Sequence, residues 1–575
     1  MKYQRNEYPR PQFRRDSWQS LNGEWEFDFV KEKPRDLQMP LNMKINVPFS
    51  YQWEASGIND QSVHEHMVYR RGFLVSKRNI GKRALLCFNA VDYECTVWVN
   101  DHSVITHEGG FTPFYVDISA YLNGGENTIV VYCKDPQETA IPRGKQSWTG
   151  EQFSCFYHGN SGIWQSVWLE FFASDCISHY DLQSDVDNQS IYGFVESLYG
   201  KADKIEITAT VNGKVIRKQN ISMSGRQTRF TVNLQTEAFD FRAIRWSPEC
   251  PNLVYVDFKL MEDGIVCDEA HTRIGLRKIS IENGQIKLNN APLYQRLVLD
   301  QGYWPESGLT PPSADAIKKD IELAKAMGFN GARKHQKIED PYYNYYAEEL
   351  GFLTWCEMPS AYTFCDKEVA AIVNQWQDIV CEARKCTSVI AYVPLNESWG
   401  TRDIKVNKNQ QDFARSLYYI TRCLDSTRFI STNDGFENLN ESDVVSVHDY
   451  VVKNAIEFPD KYNHGYDGMY PQGKALFADG HRYQGQPILF TEFGGIAYVG
   501  DQCGNGWGYG AGAKDEEELL RRLEELVDGI LTTKFQGYCY TQLTDVQQEV
   551  NGLLHTDRTP KADLSKIRTI FGRKQ

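Results

Sequence analysis

From about residue 278 onward the chain repeats one pattern: a short apolar run with a polar residue at its end, then a loop, then a helical stretch. Eight such runs can be read: "LYQRLVLD", "NGARKHQ", "LTWCEMPS", "SVIAYVPLNES", "RFISTNDG", "VVSVHDY", "ILFTEFGG" and "GYCYTQLTD". Short apolar runs of this kind are what strands buried on both faces look like, and helices between them imply parallel pairing. The helix signals are local. "SADAIKKDIELAKAMG" has a capping Ser313 and a stop at Gly328, "DPYYNYYAEELG" opens at Asp340-Pro341 and stops at Gly351, and "KDEEELLRRLEELVDGI" puts its acids in the first turns, where the helix dipole favours them. Helices are expected to fill the gaps between strands. Eight strands at roughly one βα unit per 37 residues suit a (β/α)8 TIM barrel, with a doubly wound open sheet as the alternative. The open sheet is disfavoured because no Gly-rich dinucleotide turn follows the first strand.

The preceding residues read differently. Residues 1–173 carry alternating runs such as "ECTVWVNDHSVITHEG" and "NTIVVYCKDP", and Asn100-Asp101 and Gly124-Gly125 are turn pairs from which hairpins are expected. A jelly-roll β-sandwich fits this segment. In 174–277, "KIEITATVNGKVIRKQN" is a hairpin turning at Asn212-Gly213, in what reads as a small Ig-like β-sandwich. The expected architecture is therefore multidomain, β followed by α/β: jelly roll 1–173, Ig-like sandwich 174–277, barrel 278–575.

A net charge of −14 argues against a nucleic-acid surface, which needs clustered Lys and Arg. No run is apolar for about 18 residues, so no membrane helix is expected. "MKYQRNEYPRPQFRRDSW" lacks the apolar core of a signal peptide, and the 14 Cys are scattered without a CxxC pair. Free thiols and a cytoplasmic location are the expectation.

In a barrel of this kind, chemistry sits at the C-terminal strand ends. The polar residues there are Asp300, Lys334, His335, Glu357, Asn396, Glu397, Asp434, His448, Tyr450, Glu492 and Gln542. Glu397 and Glu492 each close an apolar run, and their spacing (492 − 397 = 95) is close to three βα units, placing them on the fourth and seventh strands across the barrel mouth. A carboxylate pair about 5–5.5 Å apart suits double displacement with retention, and about 6.5–9.5 Å suits inversion. The member acting as acid is expected to have a raised pKa, so the two environments should differ.

"VPLNES" and "TEFGG", together with "LNGEWEF", "VWVNDHSVITHEGGFTPFYVDIS" and "SGIWQSVWLE" in the front segment, resemble glycoside hydrolase family 2, the family of β-galactosidases, β-glucuronidases and β-mannosidases. The resemblance runs over nearly the whole chain and implies an O-glycosyl hydrolase with a retaining mechanism. Glu397 matches the family's acid/base, Glu492 its nucleophile, and Asn396 the residue that hydrogen-bonds the sugar 2-OH. Tyr450 matches a Tyr beside the nucleophile, while His335 and Glu357 sit where the family binds sugar hydroxyls or supports the carboxylates. Trp399 is a candidate for stacking on sugar, as is Trp507 in "YVGDQCGNGWGYGAGAKDEEE", which reads equally as a linker. Asp300, Lys334, Asp434, His448 and Gln542 complete the expected substrate-binding set.

Two departures bear on the sugar. "KHQKIEDPYY" replaces the usual Ser-His-Tyr-Pro pattern, and Asn551-Gly552-Leu553 lacks the Lys with which β-glucuronidases grip a substrate carboxylate. Arg333 or Lys334 would have to do so instead. A β-galactosidase-like activity is the first expectation, with β-glucuronidase, galacturonidase or α-L-arabinopyranosidase activity as alternatives and a non-catalytic carbohydrate-binding protein as the reading from another class. No cofactor is expected. Some family members bind Mg²⁺ or Na⁺, but no oxygen cage is legible, and "HEH" at 64–66 and Cys381 with Cys386 are poor zinc patterns. The implied partners are a small glycoside or oligosaccharide and further copies of the chain in a dimer or tetramer, with neither nucleic acid nor membrane.

Overall fold

The computed structural model describes residues 2–235, 244–452, 454–499 and 506–574. The front segment folds as two antiparallel sheets. One orders Met43–Val47, Gly23–Phe29, His66–Leu74, Glu126–Lys134, Glu94–Val99 and His102–Glu108; the other orders Phe114–Asp117, Arg83–Phe88, Val167–Phe172 and Trp18–Ser20. Their inner faces share a core that includes Trp25, Phe27, Tyr69, Phe88, Val97, Val131 and Leu169. Asn100 and Asp101 both take positive φ (49° and 66°), the twist a tight hairpin needs. Gly124-Gly125 makes no hairpin. The strands on either side of it, Phe114–Asp117 and Glu126–Lys134, lie in different sheets, so this turn carries the chain across the sandwich.

A second, smaller sandwich sets Ile177–Asp185, Ser190–Ser197 and Gln227–Asn233 against a sheet that includes Lys204–Val211, Lys214–Ser222, Val254–Glu262 and Ile265–Ile274. Asn212-Gly213 turns its hairpin with φ of 48° and 74°. The edge of that sheet is supplied by Phe13–Arg14 from the start of the chain, with Phe13 stacked 4.5 Å from Tyr180. Arg15 is buried between the sandwiches, donating to Asp268 at 2.8 and 2.9 Å and to Glu170. The two β units are thus tied by a charge pair out of reach of water.

The remainder contains eight parallel strands: Gln295–Asp300, Gly331–Lys334, Leu353–Glu357, Val389–Val393, Phe429–Ile430, Val445–His448, Ile488–Gly494 and Gly537–Thr541. Each pairs with its neighbours in chain order and the eighth pairs with the first, giving a curled, barrel-like sheet. The ladder is interrupted only between the fifth and sixth strands, where Asp443 N donates to Ile430 O at 2.9 Å and Gly435 N to Ser446 Oγ at 2.8 Å. Helices follow the strands as expected except here. The connection 431–444 has no helix, and instead Asn433 and Asn438 hold it through side-chain bonds to backbone carbonyls. The caps follow the sequence: Ser313 accepts from Ala316 N, Asp515 accepts from Glu518 N, and Gly351 takes φ 68°. Beneath the strands, Ile286 and Leu288 of a short hairpin join Leu297, Leu353, Trp355 and Phe429 in the central core, leaving the opposite, C-terminal end open for polar side chains.

Candidate active site

Strand alternation decides which polar strand ends meet. On the second strand Arg333 points to the axis and Lys334 to the helices, because successive side chains take opposite faces. Arg333 is fully buried and donates from Nε to Glu357 at 2.6 Å, from Nη1 to Glu492 at 2.9 Å and from Nη2 to Asn396, with Asp434 2.9 Å away. Burial disfavours its charge, but Asp434, Glu357 and Glu492 raise its pKa well above the ordinary value. It organises the whole constellation.

Asn396 and Glu397 leave the fourth strand through a second short ladder, Leu395–Asn396 with Asn433–Asp434. Glu397 and Ser398 then take φ of 50° and 57°, an uncommon conformation for residues with a Cβ and one that concentrates at functional sites. Glu397 N donates to Asp434 O and Ser398 N to Asn433 Oδ1, each at 2.9 Å, which holds that turn. On the sixth and seventh strands, a register shift after Val447 sets His448 directly beside Glu492. Tyr450 donates to Glu492 Oε2 at 2.6 Å and lies 2.9 Å from Thr541 Oγ1. Its ring stacks on Tyr509 at 3.5 Å, a contact that Gly495 permits, since a Cβ there would meet Tyr509 at 2.4 Å.

His448 lies between the acids. Its Nδ1 is 2.8 Å from Glu397 Oε1 and 3.5 Å from Glu492 Oε2, and its Nε2 is 3.2 Å from Asp434. Burial alone would lower its pKa, but Glu492, Asp434 and Glu397 together push it up to about 9. Glu397 responds in the opposite sense. Burial would raise it, yet the hydrogen bond and charge of His448 hold it at about 2. This runs against the expectation of a raised pKa on the acid, because His448 outweighs burial at Glu397. Asp434 is likewise held well below the carboxylate range, burial notwithstanding, by Arg333 and His448. Burial pushes Glu357 up to about 7 against Arg333. His335, 2.8 Å from Glu357, is driven well below 6.5 by burial, Lys145 and Arg333.

A pH dependence follows from the His448–Glu397 pair. His448, raised from 6.5, stabilises the fold fully below about pH 6.5 and loses that contribution as pH climbs through about 9. Glu397, lowered from 4.5, contributes above about pH 4.5 and loses it as pH falls through about 2. Thermal denaturation against pH should therefore decline between 6.5 and 9, and the decline should be smaller in His448→Gln. Parallel curves would remove His448 as the group responsible.

One oxygen from each of Glu397 and Glu492 and a ring nitrogen of His448 lie within 4.8 Å of one another. Arg333, bonded to Glu492, adds a fixed positive charge to this group. Glu492 keeps 5% side-chain exposure and Glu397 21%, so Glu397 faces the entrance and Glu492 the floor. Asn396 has its amide oxygen on Arg333, while its buried amide nitrogen has no partner.

Not every expected residue belongs to this cluster. Asp300 and Lys334 pair at 2.8 Å on the outer, helix-facing side, where Lys334 also meets Glu339 at 2.8 Å and lies over the Tyr343 ring. Alternation turned both away from the axis. Gln542 is held in a buried amide chain, accepting from Gln301 at 2.9 Å and donating to Asn551 at 2.7 Å. Trp507 Nε1 donates to Ser154 O at 3.1 Å, so Trp507 joins its loop to the front segment. Residues 500–505 of that glycine-rich stretch lie outside the described residues. Trp399 packs against Tyr362 and Phe156, at 5.4 and 5.9 Å between ring centroids. His64 and His66 do not converge: one is bonded to Asp60 and the other to Tyr132.

The sequence reading missed the contribution of the front segment. Residues 135–161 connect two of its strands and extend over the barrel mouth, where Arg143 N and Gly144 N donate to Ser360 O and Tyr157 donates to Glu549. This loop brings Trp148, Phe153, Phe156 and Lys145 to the entrance. Its length and aromatic content were the available signal, since long loops without secondary structure in compact domains are usually functional.

Comparison with known proteins agrees with this geometry. The model for "Glycosyl hydrolases family 2, sugar binding domain" matches residues 18–170. A putative β-glucuronidase of Formosa agariphila is 23% identical over 87% of this chain and 59% of its own length, and a β-galactosidase of Thermoanaerobacter pseudethanolicus is 24% identical over 75% of this chain and 56% of its own. The chain thus spans little more than half the length of these curated relatives. Among solved structures, a β-galacturonidase of Eisenbergiella tayi superposes with a TM-score of 0.75 at 18% identity, covering 99% of this chain and 98% of that one. A β-glucuronidase of Ruminococcus gnavus gives 0.77 at 18% identity, covering 99% and 100%. The front-segment match, the curated relatives along the chain and the shared fold point the same way: the chain is similar to proteins of glycoside hydrolase family 2.

Proposed function

We propose that the protein is a retaining exo-β-glycosidase that removes a terminal sugar by double displacement. The observation that carries this reading is the close carboxylate pair, within 4.8 Å and unequally exposed, which leaves no room for the intervening water of an inverting mechanism. Glu492, oriented by Arg333 and Tyr450, attacks the anomeric carbon, and Glu397 at the entrance protonates the departing oxygen. The proton comes from the Glu397–His448 pair. Substrate binding expels water, a drier site favours the neutral partners over the ion pair, and the proton moves from His448 onto Glu397. In the second half Glu397 accepts a proton from water as it opens the glycosyl ester. The free amide nitrogen of Asn396 is available to the sugar 2-OH. Trp399 and the rings of the front loop flank the leaving group.

In this reading residues 1–173 act as a jelly-roll domain that closes the site, 174–277 as an Ig-like spacer and 278–575 as the catalytic barrel, working in a cytoplasmic dimer or tetramer. The relatives carry both galactosidase and glucuronidase names, so β-galactosides, β-hexuronides and α-L-arabinopyranosides are the candidate substrates. Proton NMR of the first-released sugar tests the mechanism. The β-anomer should appear first, and initial α-anomer would overturn retention. Sugar binding without turnover across a panel of nitrophenyl glycosides would favour a non-catalytic binder.

A further inference from the structure

The cations at the barrel mouth are not equivalent. Arg333 is saturated by Glu357, Asp434, Glu492 and Asn396, and Lys334 by Asp300 and Glu339. Lys337 is taken up by Glu339, Gly302 O and Leu309 O, and Lys561 by Asp545 and Val550 O. The two cations that the sequence offered for gripping a substrate carboxylate, Arg333 and Lys334, therefore have no donor to spare.

Lys145 does. It is only 9% exposed, and its ammonium lies in the field of Glu549, Glu492 and Glu397 and beside the Cys155 thiol. Yet among the described residues it forms no direct ion pair with any carboxylate, although ion pairs with Asp and Glu are common elsewhere in the chain. Glu549 is engaged by Tyr157 instead. The Cys155 thiol takes one weak hydrogen bond from it, and a buried ammonium with no carboxylate partner is costly to keep unless something completes it.

Its position is also rigid. Tyr157 N donates to Lys145 O at 2.8 Å, and Arg143 N and Gly144 N both bind Ser360 O, at 3.0 and 3.1 Å. Gly144 sits at φ 60°, so close to the end of the second strand that a Cβ would lie 2.1 Å from Gln336 O. The backbone on both sides of Lys145 is thus clamped to the barrel. Such preorganisation suits a recognition group better than a mobile surface lysine.

We propose that Lys145 recognises a carboxylate on the sugar held between Glu397 and Glu492, so that the preferred substrate is an anionic β-hexuronide rather than a neutral hexoside. The proposal rests on the retaining-glycosidase reading and names the charge of its substrate. A charge-assisted hydrogen bond formed in a dry site is the kind of contact that separates a carboxylate from a hydroxymethyl group.

The test compares kcat/KM of wild type, Lys145→Met and Lys145→Arg on nitrophenyl β-D-glucuronide, β-D-galacturonide and β-D-galactoside, and measures binding of free glucuronate, galacturonate and galactose by calorimetry. Wild type should favour one of the two uronides over the galactoside, and which one it favours identifies the source of the carboxylate. In Lys145→Met the uronide-to-galactoside ratio should fall by about 10- to 100-fold, mostly through KM, and Lys145→Arg should keep the preference. A wild type that prefers the galactoside, or a ratio unchanged in Lys145→Met, would overturn the proposal. If wild type turns over none of the three, the glycosidase reading fails separately. The binding arm then decides: uronate binding lost in Lys145→Met supports recognition by Lys145, and undiminished or absent uronate binding overturns it.

Discussion

Glu492→Gln should lower kcat for aryl glycosides by about 10⁴-fold or more, because the amide cannot form the glycosyl ester while the pocket around it persists. The substitution is nearly isosteric, and Arg333 and Tyr450 keep partners there, so folding and sugar binding should survive. Steady-state kinetics together with calorimetric binding of a slow substrate separate the two effects. Glu397→Gln provides the contrast. A dinitrophenyl leaving group needs no proton, so its release should suffer far less than that of an alkyl glycoside. Equal losses on both substrates would remove Glu397 from the acid role, and ordinary turnover by Glu492→Gln would remove the double displacement altogether.

Arg333→Met should produce the largest loss of stability of any single change at the site. It would leave Glu357, Asp434 and Glu492 buried around a side chain that can neither donate nor balance charge. Breaking a buried charge network by removing one partner costs about 3–5 kcal/mol, or a fall in melting temperature of about 6–10 °C. The sign of its pH dependence is set by the same charges. Without Arg333 the carboxylates bind protons more readily in the folded state, so the deficit relative to wild type should shrink as pH falls from 8 to 5. A melting temperature within about 2 °C of wild type at pH 8 would show that the carboxylates are neutralised by other means.

The strand-end positions of Glu397 and Glu492 were legible because each closes an apolar run, and three βα units separate them. The helix cap Ser313 and the stop at Gly351 were legible for a similar reason, since capping chemistry is confined to a few neighbouring residues. Side-chain direction was harder to read. Asp300 and Lys334 looked like site residues from their positions at strand ends, but the parity of a strand depends on which of its residues face the core, and that is set by packing. Arg333, one residue away and on the opposite face, was read only as an alternative grip for a substrate carboxylate, for the same reason.

The raised pKa expected on Glu397 failed on a contact between residues 51 positions apart (448 − 397), since His448 outweighs burial only when it is placed against that carboxylate. The front loop is the extreme case: Lys145 reaches the field of Glu397 and Glu492 from another domain. By itself the sequence determined the eight-strand parallel sheet, the strand-rich front units and the strand-end positions of Glu397 and Glu492, because periodicity and strand termini are local properties. Only the tertiary structure decided which face each polar residue takes, which charges surround Glu397 and which cations are paired with carboxylates, because those depend on groups brought together from distant parts of the chain.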